Sequence, residues 1–203
     1  MFYNGARPNQ GANLTKHNSG PASFLETPVR RRRLYRGSVD FCVDQVLLPN
    51  GRRAERQYLD HPGAAAVVPF VDEKNIVLVR QYRYPVGETT LEIPAGKLDR
   101  GEGPLSCVRR ELAEETGYRA RTIQKLIAFY PTPAFANEVI HIFAARGLSS
   151  GKPACDDDEF LSVEIVSFRR ALRLVREGKI KDSKTVIGLL ACAFWGPAHI
   201  ISK

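Results

Sequence analysis

Residues 96–118, GKLDRGEGPLSCVRRELAEETGY, decide the reading of this 203-residue chain. A Gly-rich turn runs into a segment with helical spacing. Pro104 suits a first helical position, where its missing N–H costs nothing, and Gly117 suits the stop. At about 100° per residue, Leu105, Val108 and Leu112 share a stripe that should face a core. Glu111 and Glu115 stack four apart at the edge of that stripe, and Glu114 projects further round. Stacked carboxylates repel, and a bound divalent cation reverses the sign. Hard oxygen donors with no nearby His or Cys favour Mg²⁺ or Mn²⁺ over zinc, and Mg²⁺ characteristically shares its shell with substrate phosphates. The planar fork of Arg110 suits holding a carboxylate such as Glu102 or Glu114 in place.

The fixed positions Gly96, Glu102, Arg110, Glu111, Leu112, Glu114, Glu115 and Gly117 follow the pattern G-x5-E-x7-R-E-U-x-E-E-x-G-U, where U is bulky and apolar. The segment resembles the signature of the Nudix hydrolases, with Tyr118 standing where a smaller aliphatic is usual. That resemblance implies metal binding by Glu111, Glu114, Glu115 and the backbone carbonyl of Ala95. It implies cleavage of a nucleoside diphosphate joined to a second group.

The flanks narrow the expectation. Residues 80–85, RQYRYP, and 91–98, LEIPAGKL, lead into the box, and 130–133, YPTP, follows it, with Pro133 sixteen residues after Gly117. The combination is similar to the ADP-ribose pyrophosphatase branch of the family. It implies hydrolysis of ADP-ribose to AMP and ribose 5-phosphate. The alternatives are GDP-mannose or another nucleotide sugar, a non-hydrolytic ADP-ribose-binding regulator, and cap removal from nucleic acid. Arg83, closing a strand before the box, is placed to hold phosphate oxygens. Arg56 matches an arginine that in this branch reaches substrate from the partner subunit. A glutamate on a loop after the box acts as base in such enzymes, which points to Glu159, with Asp157 second, in the acidic run 156–159. Aromatics of the hairpin or near Phe135 are candidates to stack the base. His61, His141 and His199 look isolated.

Working outward, 43% hydrophobic content suffices for a packed core. No run of 18 apolar residues exists, so no membrane span is expected. Cys42, Cys107, Cys155 and Cys192 show no pairing or metal spacing, which fits reduced thiols in the cytoplasm. The net charge of +8 is partly concentrated in the arginine run 30–33. That run reads as a solvated arm or an attraction for polyanions, with no motif for specific nucleic-acid readout.

Three segments are expected: 1–36 a flexible basic tail, 37–60 a β-hairpin that exchanges between subunits of a homodimer, and 61–203 the Nudix domain. In the hairpin Val39, Phe41 and Val43 alternate with polar neighbours, and 49–51, PNG, makes the turn. Strands are expected over 64–70, 76–83, 89–93, 123–130, 139–145 and 160–166. Two closing helices follow, one capped by Ser167 and ending at Gly178, one capped by Asp182 or Ser183 and ending at Gly196-Pro197. The class is α+β, as a Nudix-type α/β/α sandwich on a mixed sheet.

Overall fold

A computed structural model describes residues 24–151 and 160–199. The central sheet has the order β7-β4-β9-β8, from Ala95–Lys97, Ala64–Pro69, Ile140–Ser150 and Tyr118–Phe129. It is mixed: β4 runs parallel to β9, and the other pairings are antiparallel. A second sheet, β10-β5-β6, joins Leu161–Ser167, Asn75–Arg83 and Glu88–Glu92. The helices are α1 (Pro104–Thr116), α2 (Phe168–Arg176) and α3 (Ser183–His199).

Strand β4, AAAVVP, shows why the sandwich forms. All of its residues are buried, as expected of a strand covered on both faces. Ala64, Ala66 and Val68 enter a cluster with Ile76, Leu78, Ile93, Ile142, Leu189 and Cys192, which packs β5 and α3 against one face. Ala65 and Val67 point the other way, to Cys107, Val108, Leu112 and Phe143, which packs α1 against the opposite face. The strand period of two thus sorts one run of small residues between two cores. Helix α3 approaches closely: a Cβ on Gly188 would stand 3.1 Å from Ile93 Cδ1 and Val68 Cγ2.

The caps follow local chemistry. Ser167 Oγ accepts from Arg170 N. Asp182 Oδ2 accepts from Thr185 N at 2.9 Å, so Asp182 caps α3. Helix α3 runs past Gly196-Pro197 to His199 rather than stopping there. A proline near a helix end costs mainly the one bond its nitrogen cannot donate.

The largest departure from expectation is at the N-terminal side. Thr27–Tyr35 is not tail but strand β1, paired antiparallel with β2 (Asp40–Leu47), which pairs in turn with β3 (Arg53–Asp60). The expected hairpin is present as β2 and β3, and β1 adds a third strand to it. Charge explains the extra strand. Arg31 reaches Asp44 at 3.3 Å and Asp60 at 3.8 Å, and Arg33 reaches Asp40 at 2.8 Å. Alternate arginines face the same side of the strand, where the acids of β2 and β3 stand. The sheet meets the rest of the molecule where Leu59 bridges Ala136. Neither apolar cluster takes a residue from it. No helix among the described residues is long and apolar enough to cross a membrane.

Candidate active site

Helix α1 positions the carboxylates. Gly117 ends it in the left-handed conformation (φ 74°), donating to Ala113 O. Cys107, Val108 and Leu112 are buried, whereas Leu105, expected on the same stripe, is exposed. It lies in the first turn, away from the sheet edge, and Cys107 fills the inward position. Glu111 and Glu115 are buried beside the apolar face.

Strand β7 provides the cradle opposite. Glu115 Oε2 accepts from Ala95 N at 3.2 Å. The Glu111 carboxylate lies where a side chain on residue 96 would begin: a Cβ there would sit 1.7 Å from Oε1. Glycine is required at this point for space, not for its backbone angle. Arg110 organises the rest. Its Nη1 donates to Glu111 Oε1 at 2.7 Å and Glu114 Oε2 at 3.0 Å. Its Nε and Nη2 hold Glu102 at 3.1 and 2.9 Å. Hydrogen bonds from Arg110 keep the Glu102 carboxyl below the usual range. Burial, with the charges of Glu111 and Glu102, pushes the Cys107 thiol up to about 12, so it stays protonated and inert.

Glu111, Glu114, Arg110, Ala95 and Gly96 line a cavity of about 950 Å³ that also receives Arg83, His61, Glu138 and Lys184. Arg83 is anchored by a buried partner. Its Nε and Nη2 donate to Glu92 at 2.8 and 2.6 Å. Glu92 is 1% exposed and also accepts from Thr90 Oγ1 and Lys184 Nζ. Burial alone would raise the Glu92 carboxyl, but the Arg83 bonds and the Lys184 charge outweigh it and hold it at about 2.

His61, read from sequence as isolated, lines the same cavity. Its Nδ1 accepts from Gly63 N at 3.0 Å, which leaves the proton on Nε2, 3.6 Å from Glu138 Oε1. Burial, followed by the opposing pulls of Glu138 and Lys97, keeps the ring below its ordinary value. Glu92, Lys184 and Glu138 were missed in the sequence because nothing local marks them.

The other expected residues are more scattered. Pro133 is exposed in the loop that Leu59 stitches down, and the neighbouring Pro131 lines the cavity. Arg56 lies on exposed β3, paired with Glu26, outside the cavity lining. Asp157 and Glu159 lie outside the described residues.

A model of the NUDIX domain matches residues 60–187, more than half of the chain. The chain belongs to the Nudix family. Two relatives cover about four fifths of it. An ADP-ribose pyrophosphatase of Bacillus subtilis is 42% identical over 170 residues, covering 82% of this chain and 92% of the relative. A methanol dehydrogenase activator of Bacillus methanolicus is 43% identical over 169 residues, covering 82% and 91%. Among solved structures, an ADP compounds hydrolase superposes with a TM-score of 0.74 at 21% identity, over 85% of this chain and 95% of that one, and so shares the Nudix fold. With the box intact on α1, this is a Nudix hydrolase, and its sandwich is the fold the resemblance implied.

The donor set suits a divalent cation. Its hard oxygens are the carboxylates of Glu111 and Glu115 at the seam of α1 and β7, where the Glu111 carboxylate fills the space that a side chain on residue 96 would take. No three His, Cys, Asp or Glu side chains among the described residues converge on one point.

Proposed function

We propose that this Nudix hydrolase cleaves the diphosphate of ADP-ribose, with Mg²⁺, to AMP and ribose 5-phosphate. The observation that carries the reading is a single cavity lined by the box carboxylates of Glu111 and Glu114 on one side and by the anchored Arg83 on the other. Water adds across the P–O–P bridge; one phosphorus gains its oxygen, the other phosphate leaves, and the proton passes to a base. Arg83 holds phosphoryl oxygens, with Pro133 and its loop bordering the substrate. Glu111, Glu114, Glu115 and the Ala95 carbonyl hold the ion, which when bound withdraws charge from the phosphoryl group. Glu159 takes the proton from water, with Asp157 the second choice. Mn²⁺ satisfies the same oxygen donors.

The N-terminal sheet supports a homodimer with that sheet exchanged. Val29, Leu34 and Tyr35 stand exposed on β1, and a partner would bury them. Arg56 of one subunit then reaches the substrate of the other, giving up Glu26. Buried free thiols at Cys42, Cys107 and Cys192 suit the cytoplasm.

The test is a panel of ADP-ribose, GDP-mannose and NADH with wild type and Glu115→Gln. ADP-ribose should give the highest kcat/KM, and Glu115→Gln should lower kcat by about a hundredfold or more with the fold intact. Turnover at background on all three removes the enzymatic reading, and preference for GDP-mannose replaces the substrate. A monomer by light scattering removes the exchanged dimer and the role of Arg56.

A further inference from the structure

The buried carboxylate of Glu92 joins elements far apart in the chain. Arg83 comes from the end of β5, Glu92 from β6, and Lys184 from the first turn of α3, 92 residues away. Lys184 is itself buried, 8% exposed, and its Nζ also reaches Asp182 Oδ1 at 3.0 Å. Asp182 is held from behind by Thr185 N and Thr185 Oγ1, and Thr185 Oγ1 accepts from Ile93 N at 2.9 Å. Every member of the network is therefore fixed by at least one other hydrogen bond.

A lysine drawn so far into a fold is costly unless paired. Glu92 and Asp182 together balance Arg83 and Lys184, yet both cations converge on Glu92, and that convergence calls for a reason. Both cations line the cavity that holds the box carboxylates. The bonds to Glu92 occupy Nε and Nη2 of Arg83, and those to Glu92 and Asp182 occupy two donors of Lys184. Each cation thus has further N–H donors beyond those spent on the network.

We propose that Lys184 is a substrate-binding residue and Glu92 a positioning residue. Glu92 holds Arg83 and Lys184 side by side as a two-cation clamp on the phosphoryl oxygens of the substrate. The cavity is then divided: the acidic side takes the metal, and the clamp takes the anionic charge the metal leaves. Compact Lys184 supplies a point charge and planar Arg83 a fork, so the two grip adjacent oxygens without competing for one. The assignment rests on the diphosphatase reading, but the clamp is expected to act without metal.

The experiment is equilibrium binding of ADP-ribose by calorimetry in EDTA, where the acidic side contributes nothing favourable. Wild type should bind. Lys184→Met should weaken binding by about tenfold or more, the loss of one charge-assisted hydrogen bond. Lys184→Arg should recover most of it. In steady-state kinetics with Mg²⁺, Lys184→Met should raise KM by a similar factor. The dependence of KM on salt should become shallower, which a purely structural lysine would not cause. Should the methionine variant fail to fold, Lys184→Gln, which keeps N–H donors without the charge, carries the same comparison. No binding by wild type in EDTA, or unchanged binding in the folded variant, overturns the clamp. If wild type binds through Lys184 but hydrolyses nothing in the panel, the clamp stands and the enzymatic reading falls.

Discussion

In the Nudix body, Leu112, Ile142 and Leu189 are sealed within apolar clusters, and even Glu92 is closed off among its partners. In the N-terminal sheet, β1 is exposed along its whole length and is joined to its neighbours through Arg31–Asp44, Arg33–Asp40 and the strand ladder. The contrast separates two ways of placing a charge. In the body, a few ionised groups are buried deeply and fully satisfied, so their geometry is rigid. In the sheet, many are half-solvated, so each contributes little.

The sharpest way to break the body's geometry is Gly96→Ala. The new methyl must displace the Glu111 carboxylate, and turnover should fall by about a hundredfold, the cost of a misplacement near 1 Å. Activity within a few-fold of wild type would show that the cradle is slack. Next, Leu112→Ala should destabilise the body by about 2–5 kcal/mol in denaturant titration.

Acid probes the buried charge. In the fold Glu92 stays ionised down to about 2, against 4.5 for an unperturbed carboxyl. The unfolded chain therefore binds the proton first as pH falls. The stabilisation is complete above about pH 5, is lost as pH falls through the folded value, and amounts to about 3 kcal/mol. Glu92→Gln should flatten that part of the stability profile, and an unaltered profile would assign the acid lability elsewhere. The smallest effect belongs to the sheet. Arg31→Ala should cost about 1 kcal/mol or less. Hydrogen exchange should quicken in β1 and β2 while the amides of β4 remain protected. Equal loosening of both regions would erase the distinction between them.

The same division governs what the amino-acid sequence disclosed. The box helix, its Gly and Pro boundaries and the strands of the body are written in local patterns, and β4, β5 and α1 stand within a residue or two of their expected places. Strand β1 escaped because successive arginines carry no alternation of polarity. Its register depends on Asp40, Asp44 and Asp60, which are remote in sequence. Lys184 and Glu138 escaped for a similar reason, since only the folded chain brings them to the box. Leu105 was misplaced because an ideal helical wheel ignores where the helix leaves the sheet.

Arg110 has a further consequence. By bridging Glu102, Glu111 and Glu114 it acts as an internal counterion for the acidic box. Domains whose ligands repel one another until a metal arrives must acquire it in order to fold. This chain carries its own placeholder. The fold therefore does not depend on a metal to neutralise these three carboxylates.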